Sequence, residues 1–96
     1  MMSSISVEDL LTHLGSLNII DIRSIQSYNN NHIPGAINVP FESLILTPER
    51  YLIPAQTYCL YCKKGLSSKS ACQILSRKGY KVMNLQGGYE EWVLKH

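Results

Sequence analysis

Apolar positions along this chain keep two rhythms in turn, a helical one and one of short unbroken runs. The helical rhythm opens at Ser6, which reads as an N-cap, with Glu8 and Asp9 in the first turn, where the helix dipole favours acids. Ile5 and Leu10 flank that cap as a hydrophobic staple, and the helix is expected to run to about Leu14 and stop at Gly15. Residues 17–22 form an apolar run of the kind found in strands buried on both faces. A short helix or turn is expected over Ile25 to Asn31, a turn at Pro34-Gly35, and a second short strand over residues 36–39, stopped by Pro40. Pro48 and Pro54 break residues 41–56 into loops and a short helix. Residues 57–61, all β-branched, aromatic or apolar, are the strongest strand. A helix from about Ser68 to Lys78, closed by Gly79, puts Ala71, Cys72 and Leu75 on one face. Residues 81–85 are a last strand, Gly87-Gly88 a turn, and Tyr89 to Lys95 a terminal helix carrying Trp92. This alternation predicts an α/β layer structure around a mostly parallel sheet.

Composition narrows the class. Ninety-six residues, 45% apolar and 17% charged, give a globular balance and room for one small domain, residues 1–96. No apolar run approaches the roughly 20 residues that span a bilayer, so no membrane partner is expected. The start, Met1-Met2-Ser3-Ser4, has no basic stretch leading into an apolar one and reads against a secretory signal. Three cysteines without regular spacing argue against a disulfide framework, and a cytoplasmic, reducing setting is expected.

Charge is unevenly spread. Residues 1–49 carry five carboxylates against Arg23 alone, a sum of −4, while residues 50–96 carry eight Lys/Arg against Glu90 and Glu91, a sum of +6. No carboxylate falls between Arg50 and Tyr89, where Lys63, Lys64, Lys69, Arg77, Lys78 and Lys81 lie. A solvated basic face is the plain reading. The excess is too small, and too bare of any recognition signature, for a nucleic-acid partner. A small anionic substrate is the more economical match for a local cationic field.

The chemistry concentrates where a strand runs into Cys62-Lys63-Lys64-Gly65-Leu66-Ser67 and then into a helix. Open α/β sheets place ligands at the carboxyl ends of their strands. A loop curled around the Cys62 sulfur would turn its own amides, and those opening the helix, into a nest that stabilises a thiolate. Gly65 supplies the positive φ such a loop needs, and Lys63 and Lys64 add charge. Cys62 is therefore the candidate nucleophile.

That loop, continued through Ser68, resembles the active-site loop of rhodanese-domain sulfurtransferases. Ile20-Asp21-Ile22-Arg23 is similar to the family's D-x-R strand, and residues 32–40 resemble its G-H-I-P-G-A-x-N-x-P stretch. Gly79-Tyr80, Val82 through Leu85, Gly87-Gly88 and Trp92 resemble its G-Y-x-V…L-x-G-G-x-x-x-W ending. The resemblance runs from Ser6 to Trp92 and implies a three-layer rhodanese-like domain, its central parallel five-stranded sheet flanked by helices. It implies that Cys62 takes a sulfane sulfur from a small anionic donor such as thiosulfate. The persulfide then passes its outer sulfur to cyanide or a thiol, or exchanges it with a protein donor or acceptor. Amides from Lys63 to Ser67 would cradle it, and no cofactor is implied. Ser67 stands where many single-domain members carry arginine, as in the thiosulfate sulfurtransferase branch, and Asn31, a residue tolerant of positive φ, replaces the glycine before the histidine.

Other readings stay open beside this one. Cys59 and Cys62 form a C-x-x-C, the pattern of a thiol–disulfide oxidoreductase, although Cys59 falls inside the predicted strand. A cysteine phosphatase or arsenate reductase would use a similar loop, and a non-catalytic interaction module would not need the cysteine. Cys72 reads as core. His32 is weighed as a base against a turn-stabilising hydrogen bond, Asp21 and Arg23 as loop braces, Trp92 as a core anchor, and Tyr61 as strand packing against a pocket wall. The three histidines are scattered and give no metal-ligand spacing.

Overall fold

The computed structural model describes residues 3–96; Met1 and Met2, part of the start that reads against a secretory signal, lie outside them. In chain order the elements are β1 (Ser3–Ile5), α1 (Val7–Leu11), β2 (Asn18–Asp21), α2 (Ile25–Asn30), β3 (Ile37–Asn38), α3 (Phe41–Leu46), β4 (Thr57–Tyr61), α4 (Leu66–Arg77), β5 (Lys81–Leu85) and α5 (Gly88–Lys95). A 3-10 turn, Pro48–Arg50, follows α3. All five strands are parallel, in the order β1-β5-β4-β2-β3.

Successive residues of a strand face opposite ways, and here the alternation builds two cores. On β4, Tyr58 and Leu60, with Cys62 beyond it, join Ile20, Val82, Leu44 of α3 and Ala71, Cys72 and Leu75 of α4. Cys59 and Tyr61 join Ile19, Leu85, Val7 and Leu10 of α1 and Trp92 of α5. Helices thus cover both faces, which gives three layers. Among the described residues no helix is long and apolar enough to cross a membrane.

Several local expectations hold in detail. The Ser6 hydroxyl accepts from the Asp9 amide at 3.1 Å, and Ile5 and Leu10 are buried in one cluster. β4 and β5 match their predicted bounds. The differences are informative. β1 is a fifth strand that no run in the sequence signals, because only Ile5 of its three residues is buried and its pairing with β5 is long-range. α1 ends at Leu11 rather than Leu14: the Thr12 hydroxyl and amide both take the Asp9 carbonyl, which tightens the chain out of α geometry. α4 starts two residues earlier than Ser68, for reasons that belong to the site. Asn31 sits at φ −169, an extended conformation that any residue adopts, so the tolerance for positive φ is not called on.

Candidate active site

β4 is the middle strand, with β2 on one side and β5 on the other. Its chain continues to α4 on one face of the sheet, whereas β2 continues to α2, whose Tyr28 packs against the other core. The carboxyl end of β4 is therefore where the connections part, the usual place for a crevice in such sheets. Cys62 stands at this point.

The loop after Cys62 is shaped from behind. The first amides of α5 have no partner within their own helix, and two of them take the loop's carbonyls: Tyr89 N donates to Cys62 O at 2.8 Å and Glu90 N to Lys63 O at 3.0 Å. With those carbonyls held outward, the loop's amides turn inward. Gly65 N donates to Cys62 Sγ at 3.2 Å and Ser68 N at 3.3 Å, and the Ser68 hydroxyl lies 3.3 Å from the same sulfur. Gly65, at φ +92, is the left-handed N-cap that starts α4 at Leu66. Gly88 lies so close that a Cβ on it would sit 2.6 Å from Cys62 O and 2.7 Å from Gly65 N. The second glycine of the Gly87-Gly88 pair is thus demanded by contact with the loop as well as by its own φ of +62.

Burial pushes the Cys62 thiol up, but the Ser68 hydroxyl and the amides of Ser68, Gly65 and Lys64 outweigh it and hold the thiol below its ordinary range. The other two cysteines behave oppositely. Burial lifts Cys59 and Cys72 to about 12, so both are neutral thiols at physiological pH. Cys59 lies in the opposite core from Cys62, as residues three apart on an extended chain must, and all three cysteines are free. The C-x-x-C has no redox geometry.

Of the residues singled out from sequence, Cys62, Lys63, Lys64, Leu66 and Ser67 line one recess of about 210 Å³, and Gly65 underlies it. The lysines, Leu66 and Ser67 are exposed at its mouth. Of the amides from Lys63 to Ser67 expected to cradle the sulfur, that of Gly65 donates to Sγ; so does the amide beyond them, of Ser68, while the Ser67 side chain faces out. The cause is the early helix start. It puts Ser68 in register with Ala71, Cys72 and Leu75 on the buried face and leaves Ser67 on the solvent side. That periodicity was the available signal for Ser68. Asn84 was also missed: it is a polar residue in an apolar strand, and its side chain bridges the Ser68 hydroxyl and, at 3.3 Å, the Gly65 carbonyl.

The remaining candidates brace the frame. The buried Asp21 carboxylate takes the Arg23 amide at 2.9 Å, the Arg23 guanidinium at 2.7 Å and the Tyr61 hydroxyl at 2.7 Å. Tyr61 in turn accepts from Ile33 N, and Arg23 reaches the Asn31 carbonyl. Arg23 also lies over the Tyr89 ring, 4.2 Å from its centroid. His32 stacks on Tyr28 with Nδ1 3.0 Å from the Tyr28 carbonyl oxygen, the turn brace rather than a base. Trp92 is buried. A larger cleft of about 640 Å³, lined by Arg23, Ser27, Lys63, Tyr89 and the outer face of α5, adjoins the recess through Lys63.

Comparison with known proteins agrees with this fold. The chain is 35% identical over 88 residues to the thiosulfate sulfurtransferase GlpE of Shewanella oneidensis, across 85% of this chain and 81% of that protein. The crystal structure of SSP1007 from Staphylococcus saprophyticus superposes with a TM-score of 0.88 at 32% identity, covering 95% of this chain and 93% of that one. A rhodanese-related protein from Thermoplasma volcanium superposes with a TM-score of 0.89 at 25% identity, covering 97% and 92%. The family model of the rhodanese-like domain matches residues 6–95, and the chain belongs to that family.

Proposed function

We propose that this chain is one sulfurtransferase domain that carries sulfane sulfur on Cys62. The observation that carries the reading is a single sulfur, at the end of a central strand, ringed by the Gly65 and Ser68 amides and the Ser68 hydroxyl. Family membership and the Shewanella relative support sulfur transfer in general. The recess geometry supports a small anionic donor such as thiosulfate, drawn in by Lys63 and Lys64 at the mouth.

In the first displacement the Cys62 thiolate attacks the outer sulfur of thiosulfate. The S–S bond of the donor breaks, and sulfite departs with the electron pair. The charge then resides on the outer sulfur of the persulfide. In the second displacement cyanide, or a thiolate of a small molecule or protein, attacks that outer sulfur, and Cys62 Sγ leaves with the pair as a thiolate. The inward amides stabilise anionic sulfur without having to reorganise, as donors of an oxyanion hole do.

The test is mass spectrometry after incubation with thiosulfate. The native chain gains one sulfur that cyanide removes, and Cys62→Ser gains none. Sulfur uptake undiminished in a folded Cys62→Ser variant would overturn the assignment.

A further inference from the structure

The Ser68 hydroxyl has one proton and two acceptors within reach, Cys62 Sγ at 3.3 Å and the Asn84 side-chain oxygen. Ser68 is completely buried, and Asn84 is 7% exposed, so water does not resolve the competition. The orientation of Asn84 is set by its other end. Its Nδ2 donates to the Gly65 carbonyl at 3.3 Å, a group that can only accept, which leaves Oδ1 facing Ser68. When Cys62 is a thiol, its S–H can donate to Ser68 Oγ and the hydroxyl to Asn84, and every group is satisfied. When Sγ is a thiolate, it needs donors, and a charged acceptor draws a hydrogen bond more strongly than a neutral amide does.

We propose that Asn84 is a positioning residue: its amide oxygen holds the Ser68 hydroxyl proton while Cys62 is a thiol or a persulfide, and cedes it to Sγ when that sulfur becomes anionic. In the first displacement Sγ gives up its charge to the outer sulfur, and the hydroxyl turns back to Asn84. In the second the S–S bond breaks toward Sγ, and the hydroxyl turns to meet the departing thiolate. The proton stays on Ser68 Oγ throughout, so no acid, base or oxidant is consumed. Beside the two amides that stay on Sγ, a hydroxyl with an alternative acceptor follows the charge, turning to Sγ when it is a thiolate and away when it is neutral. The catalytic cycle in this account rests on the sulfur-transfer reading; the hydrogen-bond competition does not.

The groups around Sγ leave the competition to these residues. Cys72 on α4 is a neutral thiol, Lys63 and Lys64 are exposed on the loop, and Glu90 lies at the start of α5, where its backbone rather than its carboxylate holds the loop. On β4 the flanking Tyr61 faces the other core, with its hydroxyl committed to Asp21.

The experiment is a double-mutant cycle read by the rate of Cys62 alkylation against pH, with folding followed by circular dichroism. Ser68→Ala should raise the thiolate pKa, leaving about tenfold less thiolate at a pH below it. Asn84→Leu should act the other way, giving about fivefold more, because the hydroxyl then has only the sulfur to serve. In the Ser68→Ala background Asn84→Leu should change nothing. Asn84→Ala gives the same readout where the leucine variant does not fold. An equal shift from the Asn84 variants with and without the Ser68 hydroxyl, or no shift in its presence, would overturn the proposal. So would a Ser68→Ala variant that discharges a preformed persulfide to cyanide as fast as the native chain. The alkylation arm needs no sulfur donor. A chain that took sulfur from no donor yet showed this coupling would sink the functional reading and leave the competition standing.

Discussion

Cys62 differs from the chain's other two cysteines only in what surrounds it, and that difference predicts reactivity. Its pKa lies below the ordinary thiol range, whereas Cys59 and Cys72 are raised to about 12. Alkylation should therefore label Cys62 in preference to Cys59 and Cys72, and its rate should fall as the pH drops through the lowered pKa, since protonation there removes the nucleophile. Peptide mapping of the labelled chain checks this, and labelling of Cys59 at a similar rate would contradict it. Lys63 and Lys64 carry a different expectation. Both are exposed, so Lys63→Glu and Lys64→Glu should shift stability by no more than about 0.5 kcal/mol. Each should raise the KM for thiosulfate severalfold at low salt, and added salt should narrow the gap to the native chain as it screens the field. Asp21 lies at the opposite extreme. Replacing it with alanine strips the partner from the Arg23 guanidinium and the Tyr61 hydroxyl in a buried setting, and should cost about 3–5 kcal/mol in denaturant unfolding.

At the scale of elements, the loop after β4 takes its form from the helix that comes last in the chain. α5 fixes two loop carbonyls, and Gly88 allows the backbones to meet. Gly88→Ala would place a Cβ against three loop atoms in a left-handed conformation, and should cost at least about 2 kcal/mol and displace the amides that face Sγ. The alkylation pKa of Cys62 should then rise toward that of an ordinary thiol; a folded Gly88→Ala variant with an unchanged Cys62 pKa would show that the loop holds its shape unaided. Ser6→Ala, by contrast, removes a single cap from the short helix α1 and should cost about 1 kcal/mol without touching the site.

For the molecule as a whole, the proposed function turns on which anion the crevice can accept. The loop from Cys62 through Ser67 contains no arginine, and the hydroxyl at its end, Ser67, faces solvent. A phosphoryl group needs a planar fork that grips its oxygens in pairs, and two exposed lysines act only as point charges. Aryl phosphates should show no Cys62-dependent hydrolysis, and phosphate release that disappeared in Cys62→Ser would speak for the rival chemistry. Much of this molecule was legible in the chain itself. The strands β4 and β5 and the Ser6 cap follow from local rules, in which neighbouring side chains decide the backbone. The place of Cys62 at the head of a loop was legible because a cysteine, a glycine and two lysines stand between a strand and a helix. What the tertiary structure alone decided involves partners far apart in sequence. β1 is a strand because β5 offers it an edge. Ser68 rather than Ser67 reaches the sulfur because Gly65 starts the helix early, and Asn84 meets the Ser68 hydroxyl because β5 lies beside that helix. The orientation of the loop amides depends on carbonyls captured more than twenty residues downstream by α5. Local sequence sets which conformations a segment prefers; only packing brings one hydroxyl within reach of the two acceptors that compete for it.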